Sequence, residues 1–419
     1  MSAVATTWTD QAAKAPLAEP VVADVALRVL TLTTLYPSTA NPRHGIFVET
    51  RLRKLRALAS IDLQVVAPVP WFPVRWAIAG RYATFAATPL RENRDGVDVR
   101  HPRFISIPRI GMAMQPGSLA AAALRAIAEV QGGGWSCDVI DAHYLYPDGV
   151  AAATVARALG RPFIVTARGT DVNLIAQMPA PRRRILKALA QASRIVAVSE
   201  ALKNALVRIG VPPARIEVLR NGVDTDLFKP TERDATRARL GVAGAPLIAS
   251  VGNLAPEKGH DLVLRAAQSI EGAHVVIVGR GPARANLSAL VEQLGMQGRV
   301  RLLDNVPQGE LAAIYSAADV LALGSIREGW PNVLLEAIAC GTRVVATGVG
   351  GVQEIVTDVV AGEVVAERSA GAFAAALERV LDTRASRADV RAHALKFSWQ
   401  PVVRRYYEVL AAAAQTRAH

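Results

Sequence analysis

The sequence has only two cysteines and no long apolar run. Cys137 and Cys340 lie far apart without metal-ligand spacing, so we expect neither a disulfide framework nor a bound metal. Charge or glycine interrupts every apolar run well before the ~18 residues that a membrane-spanning helix requires. Residues 1–26 lack a basic start followed by an apolar stretch and are predicted to be a disordered tail, not a secretion signal. These absences predict a cytoplasmic protein without a transmembrane helix.

Aromatic residues are also scarce, at 5% of the chain, and only seven of the 48 basic residues are lysines. The formal net charge of +12 nevertheless predicts acidic partners, which are phosphorylated substrates, nucleic acid or an anionic membrane surface. The arginines are scattered and no basic motif is interleaved with aromatics, so we expect no nucleic-acid partner. Between residues 230 and 395 the only lysine is Lys258, which indicates either a site for a compact ammonium group or a chance bias.

Short β-branched apolar runs alternate with Ala- and Leu-rich helical segments in two successive rounds. The first round runs from "ALRVLTLTTLY" to "RIVAVS", and the second from "LIASVGNL" to "RVVATG". This alternation is typical of parallel β/α units, so the sequence predicts an α/β fold of two Rossmann-like, doubly wound domains that face a central cleft. We expect the domains to span residues 27–226 and 227–396, with a C-terminal helix in 397–419 packing back towards the first domain.

The segment "SIREGWPNVLLEAIACG" carries two glutamates eight positions apart around a predicted helix start. Pro331 suits the first helical turn, so the free backbone N–H groups around Trp330 are expected to point toward the cleft and to suit a diphosphate. Glu328 and Glu336, on either side of this start, are suited to accept hydrogen bonds from hydroxyl groups. A ligand with hydroxyls at both ends and a diphosphate between them is a nucleotide-activated sugar.

Two other interpretations of these glutamates stay open. Glu328 can simply complement the helix dipole while Glu336 is a solvated helix residue. A glycosidase pair suits the segment less, because such enzymes place two carboxyl groups about 5 to 10 Å apart around one small bond.

Other predicted strand ends carry further candidates. Lys258, in "SVGNLAPEKGHDLVL", can neutralise a leaving diphosphate, although an ordinary turn lysine has the same pattern. His143 follows a strand of the first domain, and Arg168 and Asp171 follow another. Gly45 precedes a helix, where a missing side chain lets a substrate approach the backbone. A lone histidine is more often structural, but the strand-end position favours a role in the cleft.

The segment "HVVIVGRGPARANL" has only part of a dinucleotide-binding fingerprint. Gly279 and Gly281 fit, but Arg284 occupies the place of the third glycine and no acidic residue follows at the required spacing. We therefore expect no NAD cofactor.

Taken together, these segments are similar to glycosyltransferase family 4, the retaining nucleotide-sugar transferases of the GT-B fold. The resemblance extends from about Val29 to Leu410 and rests above all on the Glu-x7-Glu segment, with support from "NGVDTDLF", "VGNLAPEKGHDLVL" and "VGRGP". It implies transfer of a sugar from a nucleotide-sugar donor to a saccharide or lipid-linked saccharide, without a metal or cofactor, in exopolysaccharide or cell-envelope glycan synthesis. Two rivals stay open: a sugar-nucleotide epimerase of GT-B-like fold and a basic nucleic-acid-binding protein.

The resemblance also implies roles for the donor-side residues. Glu328 would contact the hydroxyls of the donor sugar, and Glu336 those of the ribose. Lys258 would hold the diphosphate together with the backbone amides near Asn332 and Val333. The leaving diphosphate would be stabilised electrostatically, and its own oxygen would take the acceptor proton on the face of attack, so no enzymic nucleophile is required.

On the other side of the cleft, the resemblance implies that His143 lies near the transferred sugar and Gly45 in the first glycine-containing loop. The sequence-predicted site comprises His143, Lys258 and Glu328 as catalytic residues, and Gly45, Arg168, Asp171, Asn253, Arg280, Trp330, Pro331, Asn332, Val333 and Glu336 as substrate-binding residues.

Two positions depart from the family pattern. Asn253 stands where the family commonly has an arginine, so Arg280 or Arg327 has to compensate, or diphosphate binding rests more on Lys258. Arg168 stands in "ARGTD" where many members have "HGTD", and it is expected to contact a different acceptor molecule.

Residues 68–85 concentrate aromatic and basic side chains, namely Trp71, Phe72, Trp76, Tyr82 and Phe85 with Arg75 and Arg81. This composition suits the interface of an anionic membrane, although a loop packed on its own domain has the same composition. The interfacial interpretation predicts peripheral attachment to the inner face of the cytoplasmic membrane and a lipid-linked acceptor.

Overall fold

The computed structural model describes residues 26–71, 81–106, 111–242, 244–304, 306–383 and 385–416. Nearly all of the predicted tail, residues 1–26, lies outside this part of the chain, as do Phe72, Arg75, Trp76 and the side chains of Arg81 and Tyr82. Over the described residues no helix combines the length and apolar character needed to cross a membrane.

The first sheet contains β1 (Leu27–Leu32), β2 (Ile61–Val66), β4 (Arg91–Arg94), β5 (Val97–Arg100), β7 (Val139–His143), β8 (Phe163–Ala167), β9 (Arg194–Ala197) and β10 (Ile216–Val218). The strand order is β10-β9-β8-β7-β1-β2-β5-β4, and only the β4–β5 pair is antiparallel. The central strands β7 and β8 are buried along their whole length, as expected for a parallel sheet covered by helices on both faces. A short separate pair joins β3 (Val69–Pro70) to β6 (Arg103–Phe104).

The second sheet contains β11 (Leu247–Val251), β12 (His274–Val278), β13 (Val300–Leu303), β14 (Val320–Leu323), β15 (Arg343–Thr347) and β16 (Gly362–Val365). Its order is β13-β12-β11-β14-β15-β16, with every pair parallel. Numbered within the sheet, this is the doubly wound order 3-2-1-4-5-6, and the order reverses between β11 and β14. In the first sheet it reverses between β1 and β7. The prediction of two Rossmann-like domains is confirmed.

The helices of the first domain are α1 (Ile46–Leu58), α2 (Arg81–Ala87), α3 (Gln115–Gly132), α4 (Val150–Leu159), α5 (Thr170–Asn173), α6 (Pro179–Gln191) and α7 (Glu200–Arg208). Those that follow are α8 (Asp234–Leu240), α9 (His260–Gln268), α10 (Arg284–Gln293), α11 (Gln308–Ala317), α12 (Asn332–Ala339), α13 (Val352–Ile355), α14 (Ala370–Asp382), α15 (Arg387–Leu395) and α16 (Trp399–Ala414).

The last helix, α16, lies against α1 and against strands β7 and β8 of the first sheet. Its buried residues Val403, Tyr406 and Leu410 belong to the same hydrophobic cluster as Leu52 and Leu55 of α1. The predicted domain boundary at residue 226 lies in the connector between β10 and α8.

Candidate active site

Loops at the carboxyl ends of strands from the two sheets touch each other. The loop after β8 contains Gly169, and the loop after β14 contains Gly329. A Cβ atom on Gly329 would lie only 2.1 Å from the carbonyl oxygen of Arg168, so this close approach requires glycine. Asn173 Nδ2 also donates to the carbonyl oxygen of Glu328 at 3.3 Å. The cleft expected from doubly wound domains therefore narrows to contact beside Glu328.

Lys258 and Glu328 form an ion pair in the second domain. Lys258 ends a short 3-10 turn after β11, and its Nζ lies 2.6 Å from Glu328 Oε1. Ser325 Oγ donates to the same oxygen at 2.7 Å, and the Glu328 side chain is only 8% exposed. Gly259 lets this turn approach β14, because a Cβ there would lie 1.9 Å from the carbonyl oxygen of Gly324. The sequence pointed to both charged residues but not to their pairing.

Helix α12 begins at Asn332, with Pro331 at the N-cap position. The first turn of a helix leaves backbone N–H groups without intrahelical partners, so the amides of Asn332 and Val333 form a potential anion site. Pro331 and Trp330 are buried, and the Trp330 indole Nε1 donates to the carbonyl oxygen of Asn221 at 3.0 Å. These two side chains therefore hold the helix start in place.

Glu336 lies one turn further along α12 and is partly buried. The hydroxyl group of Tyr315 donates to its Oε2 at 2.8 Å. Burial raises the pKa of Glu336 to about 7, while the Tyr315 hydrogen bond and the nearby charge of Arg43 act in the opposite direction. A ligand that donates hydrogen bonds here would favour the charged form of the carboxyl group.

The loop residues Asn253, Arg280 and Arg327 have free side chains within the part of the chain that the structure describes. Asn253 and Arg280 are exposed, and Arg327 is half-buried. Arg280 lies near enough to Arg43 to lower the pKa of that guanidinium, although burial is the larger cause. Arg43 of the first domain thus lies near both Glu336 and Arg280 of the second, which suits an anionic ligand in the cleft.

His143 ends strand β7 and is completely buried. Its Nδ1 accepts a hydrogen bond from Arg168 Nη2 at 2.7 Å, and its Nε2 lies 3.1 Å from Asp141 Oδ2. Because a guanidinium can only donate, Nδ1 must be unprotonated and the proton of the neutral ring sits on Nε2, facing Asp141. Burial lowers the pKa of His143 to about 4, with Asp141 opposing and Arg168 reinforcing the shift. His143 is therefore neutral at physiological pH.

The structure gives Asp171 and Gly45 local reasons for being where they are. The buried Asp171 carboxylate accepts hydrogen bonds from the backbone N–H of Leu145 at 2.9 Å and from that of Gly169 at 2.7 Å. Asp171 therefore holds the loop after β8 in place. Gly45 has a φ of 69°, and a Cβ there would lie 2.2 Å from the carbonyl group of Leu35. A close approach of the chain's own backbone therefore requires a glycine at this position, and the predicted contact of Gly45 with a substrate stays a prediction.

Sequence reasoning assigned no role to Asn221, the first residue of the segment "NGVDTDLF". Asn221 Oδ1 accepts from Arg51 Nη2 at 2.9 Å and lies 3.4 Å from Arg168 Nη1. Its Nδ2 donates to Asn332 Oδ1 at 3.2 Å, at the start of α12. This connector residue therefore joins the two halves of the site.

Asp141 was also missed, although a signal was present. It lies two positions before His143 on a strand, and side chains two apart on a strand share a face. Its partner Tyr406 carries no such signal, because that residue is 265 positions away in the sequence.

Comparison with known proteins agrees with these observations. Residues 79–227 match the family described as "Glycosyltransferase Family 4", and residues 232–397 match "Glycosyl transferases group 1". A D-inositol 3-phosphate glycosyltransferase of Mycobacterium tuberculosis is 31% identical over 408 residues, covering 92% of this chain and 78% of that protein.

Solved structures share the fold at low sequence identity. Sucrose-phosphate synthase from Thermosynechococcus elongatus aligns with a TM-score of 0.74 at 20% identity, covering 93% of this chain and all of that one. Anabaena HepE in complex with UDP-glucose aligns with a TM-score of 0.70 at 19% identity, covering 92% and 99% of the two chains. The predicted resemblance is confirmed: the chain is a glycosyltransferase of the GT-B fold and belongs to glycosyltransferase family 4.

Proposed function

We propose that this glycosyltransferase takes a sugar from a nucleotide-sugar donor bound at the second domain and transfers it with retention of configuration. The observation that carries the proposal is the Lys258–Glu328 pair beside the start of α12, with Glu336 one turn along the helix. The solved complex of Anabaena HepE with UDP-glucose supports this class of donor.

Each part of such a donor has a suitable partner. The ammonium group of Lys258 and the backbone N–H groups of Asn332 and Val333 bind the diphosphate. Glu328, released from Lys258, accepts hydrogen bonds from the sugar hydroxyls, and Glu336 accepts them from the ribose. Donor binding therefore exchanges an internal ion pair for contacts with the ligand.

The chemistry follows from this placement. Lys258 and the start of α12 stabilise the negative charge that develops on the leaving diphosphate, and a diphosphate oxygen takes the acceptor proton on the face of attack. The proposal assigns no covalent role to Glu328 and asks for neither a metal nor a cofactor.

The donor half is tested with Lys258→Ala and, as a matched control, Lys229→Ala at an exposed lysine in the connector. Release of nucleoside diphosphate is measured with UDP-glucose, UDP-N-acetylglucosamine and GDP-mannose, and calorimetry gives the affinity for the free diphosphate. Lys258→Ala is expected to weaken that affinity at least tenfold, because a charge-assisted contact contributes about 1.5–3 kcal/mol. Equal affinities of the two variants would remove Lys258 from the site.

The reaction type is tested separately by NMR. An α-linked product from an α-linked donor indicates retention, and inversion would contradict the mechanism. A new epimer of the donor in the absence of any acceptor would favour the epimerase.

For the acceptor, we propose a lipid-linked saccharide at an anionic membrane surface, reached from the cytoplasmic side. An apolar face supports this, because Trp71, Ile105 and Met114 are 55%, 60% and 62% exposed. Trp71 and Ile105 flank the β3–β6 pair, and Arg184 of α6 donates to the carbonyl oxygen of Ala113, next to Met114. Exposed basic residues of α6 thus border exposed apolar ones, as at a membrane interface.

Liposome flotation tests the membrane contact. Wild type is expected to float with anionic liposomes at low salt and less so at high salt, since each basic residue near the surface contributes about 1 kcal/mol. A Trp71→Ser, Ile105→Ser, Met114→Ser variant with native circular dichroism is expected to stay in solution. If both proteins float equally, or neither does, the membrane contact is refuted and the donor half stands.

A second acceptor class is favoured by the name of the Mycobacterium tuberculosis relative. Their acceptor, D-inositol 3-phosphate, is small and phosphorylated. Transfer to that compound without liposomes, and none to a lipid-linked saccharide, would select it.

A further inference from the structure

A buried ring of six side chains joins the C-terminal helix to the cleft. The Tyr406 hydroxyl group on α16 donates to Asp141 Oδ1 at 2.6 Å, and Asp141 Oδ2 lies 3.1 Å from His143 Nε2. His143 Nδ1 accepts from Arg168 Nη2 at 2.7 Å. Three residues thus connect a helix outside the Rossmann repeat to the loop after β8.

The ring closes through the connector. Arg168 Nη1 lies 3.4 Å from Asn221 Oδ1, which also accepts from Arg51 Nη2 at 2.9 Å. The Arg51 guanidinium lies 4.9 Å from the centroid of the Tyr406 ring. Asn221 is 4% exposed and the other members of the ring are completely buried, except Arg168, which is half-buried. Arg168 is therefore the least buried member of the ring.

Both ring nitrogens of the buried His143 face other side chains of the protein. Nδ1 faces the guanidinium of Arg168 and Nε2 faces the carboxylate of Asp141. The arrangement instead fixes the guanidinium, which also lies 5.0 Å from the centroid of the Phe47 ring. Asp171 accepts the Arg168 backbone N–H at 3.1 Å, so both the backbone and the side chain of Arg168 are held.

The charge of Arg168 is not neutralised by a carboxylate in contact with its guanidinium. Its side-chain partners within the described residues are an imidazole and an amide oxygen, both neutral. The ring as a whole holds two guanidinium groups and one carboxylate. A half-buried cation of this kind is suited to bind an anionic oxygen of a ligand bidentately.

We propose that Arg168, and not His143, is the first-domain residue that contacts the acceptor, and that it binds a phosphate group of that acceptor while Tyr406, Asp141 and His143 act as positioning residues. The proposal rests on the proposed function and deepens it. Its position fits, because the Arg168 carbonyl oxygen packs against Gly329, directly after Glu328. Of the two acceptor classes considered above, the phosphorylated polyol carries such a phosphate, and a lipid-linked saccharide carries one where its linker is a phosphate or diphosphate.

The titration of Arg168 supports the same assignment. Burial lowers its pKa to about 9, reinforced by Arg51, while Tyr406, Asp141 and Asp171 act in the opposite direction. The guanidinium therefore stays charged at physiological pH and can bind an anionic group.

The test compares Arg168→Gln, Tyr406→Phe, the double variant and Tyr407→Phe as a matched control on the same helix. Transfer is measured from the nucleotide sugar on which wild type is most active. The acceptors are D-inositol 3-phosphate, unphosphorylated myo-inositol and a polyprenyl-diphosphate-linked saccharide in vesicles. Calorimetry with the nucleoside diphosphate reports the donor site independently.

Arg168→Gln is expected to lower kcat/KM for the phosphorylated acceptor about 100-fold and to leave diphosphate affinity within twofold. Tyr406→Phe should lower kcat/KM about threefold to tenfold, and the double variant should be no slower than Arg168→Gln, because Tyr406 acts through Arg168. Tyr407→Phe should match wild type. If Tyr406→Phe does not fold, Asp141→Asn takes its place in the cycle.

Three outcomes overturn the proposal, and one of them concerns only the positioning residues Tyr406, Asp141 and His143. Transfer by Arg168→Gln within threefold of wild type removes Arg168 from the acceptor site while leaving the donor site intact. If the losses of kcat/KM add in the double variant, Tyr406 does not act through Arg168, and its role as a positioning residue is refuted. Absence of diphosphate binding and of transfer in wild type refutes the proposed function together with this inference.

Discussion

Replacing Glu328 with glutamine is expected to slow sugar transfer and, at the same time, to tighten binding of the free nucleoside diphosphate. One carboxylate oxygen of Glu328 accepts hydrogen bonds from Lys258 Nζ at 2.6 Å and from Ser325 Oγ at 2.7 Å. Glutamine has nearly the same shape but no charge. The sugar therefore loses a charged acceptor, while the ammonium of Lys258 is freed for the diphosphate.

The magnitudes follow from the two kinds of contact. A hydrogen bond to a charged group contributes about 1.5–3 kcal/mol and a neutral one about 0.5–1.5, so each sugar hydroxyl loses about 1–2 kcal/mol. Two hydroxyls on Glu328 then correspond to a loss of about 100-fold in rate. The gain in diphosphate affinity is smaller, about threefold to tenfold, because the Lys258 side chain is 27% exposed and solvent already screens the pair.

The assay is coupled detection of diphosphate release, with calorimetry for the diphosphate and circular dichroism for folding. Glu271→Gln, at an exposed glutamate after α9, is the matched control and should match wild type in all three. Turnover of Glu328→Gln within threefold of wild type would refute the contact with the sugar. Weaker diphosphate binding in that variant would refute the competition between Glu328 and the ligand for Lys258.

Three further predictions address the cleft, the ribose end and the domain contact. Gly329→Ala should lower kcat at least tenfold and leave the diphosphate affinity within threefold of wild type, because the added Cβ would lie 2.1 Å from the Arg168 carbonyl oxygen. Gly298→Ala is the control, because a Cβ there would have no atom within 4 Å. Equal kcat values for the two variants would contradict the role of the contact between Gly329 and Arg168. Donor affinity should rise as the pH passes through about 7, because Glu336 ionises there. Tyr315→Phe should move this rise to higher pH, because it removes a hydrogen bond that favours the charged form of Glu336. A pH-independent affinity in wild type would count against the contact between Glu336 and the ribose. Glu354→Gln should lower the free energy of unfolding, measured by urea titration, by about 1–2 kcal/mol. The Glu354 carboxylate accepts hydrogen bonds across the domains from Arg220 Nη2 at 2.6 Å and from the Ala201 N–H at 3.0 Å. An unchanged unfolding curve would show that this contact contributes nothing to stability.

The fold and the placement of the residues predicted for the donor side were largely predictable from the sequence, because both are encoded locally. Each strand is a short apolar run, and each residue predicted for the donor side lies in the loop or helix that directly follows one. Lys258 and Glu328 could be found in this way, since the carboxyl ends of neighbouring parallel strands β11 and β14 bring their loops together. Their ion pair could not, because it depends on the path of two loops whose closeness rests on Gly259.

The first-domain half was less predictable, because its members come from five distant segments. His143 was identified from its strand-end position, but its burial depends on Arg168, Asp141 and α16 together. Gly45 shows the same limit in another form. A glycine before a helix is compatible with ligand approach or with backbone approach, and the backbone approach becomes visible only with the position of Leu35.

The charge balance of the buried ring explains why this half of the site is built from so many elements. Two guanidinium groups against one carboxylate leave an excess positive charge in the interior, and burying an uncompensated charge is costly. The cost is lowered by the amide oxygen of Asn221, the carbonyl oxygen of Leu219 at 3.0 Å from Arg51 Nη2, and the face of the Tyr406 ring. These groups come from the connector and from α16, so the returning helix does more than cover the first sheet. The least buried member of the ring is Arg168, beside the loop of Glu328, where an anionic acceptor would complete the balance.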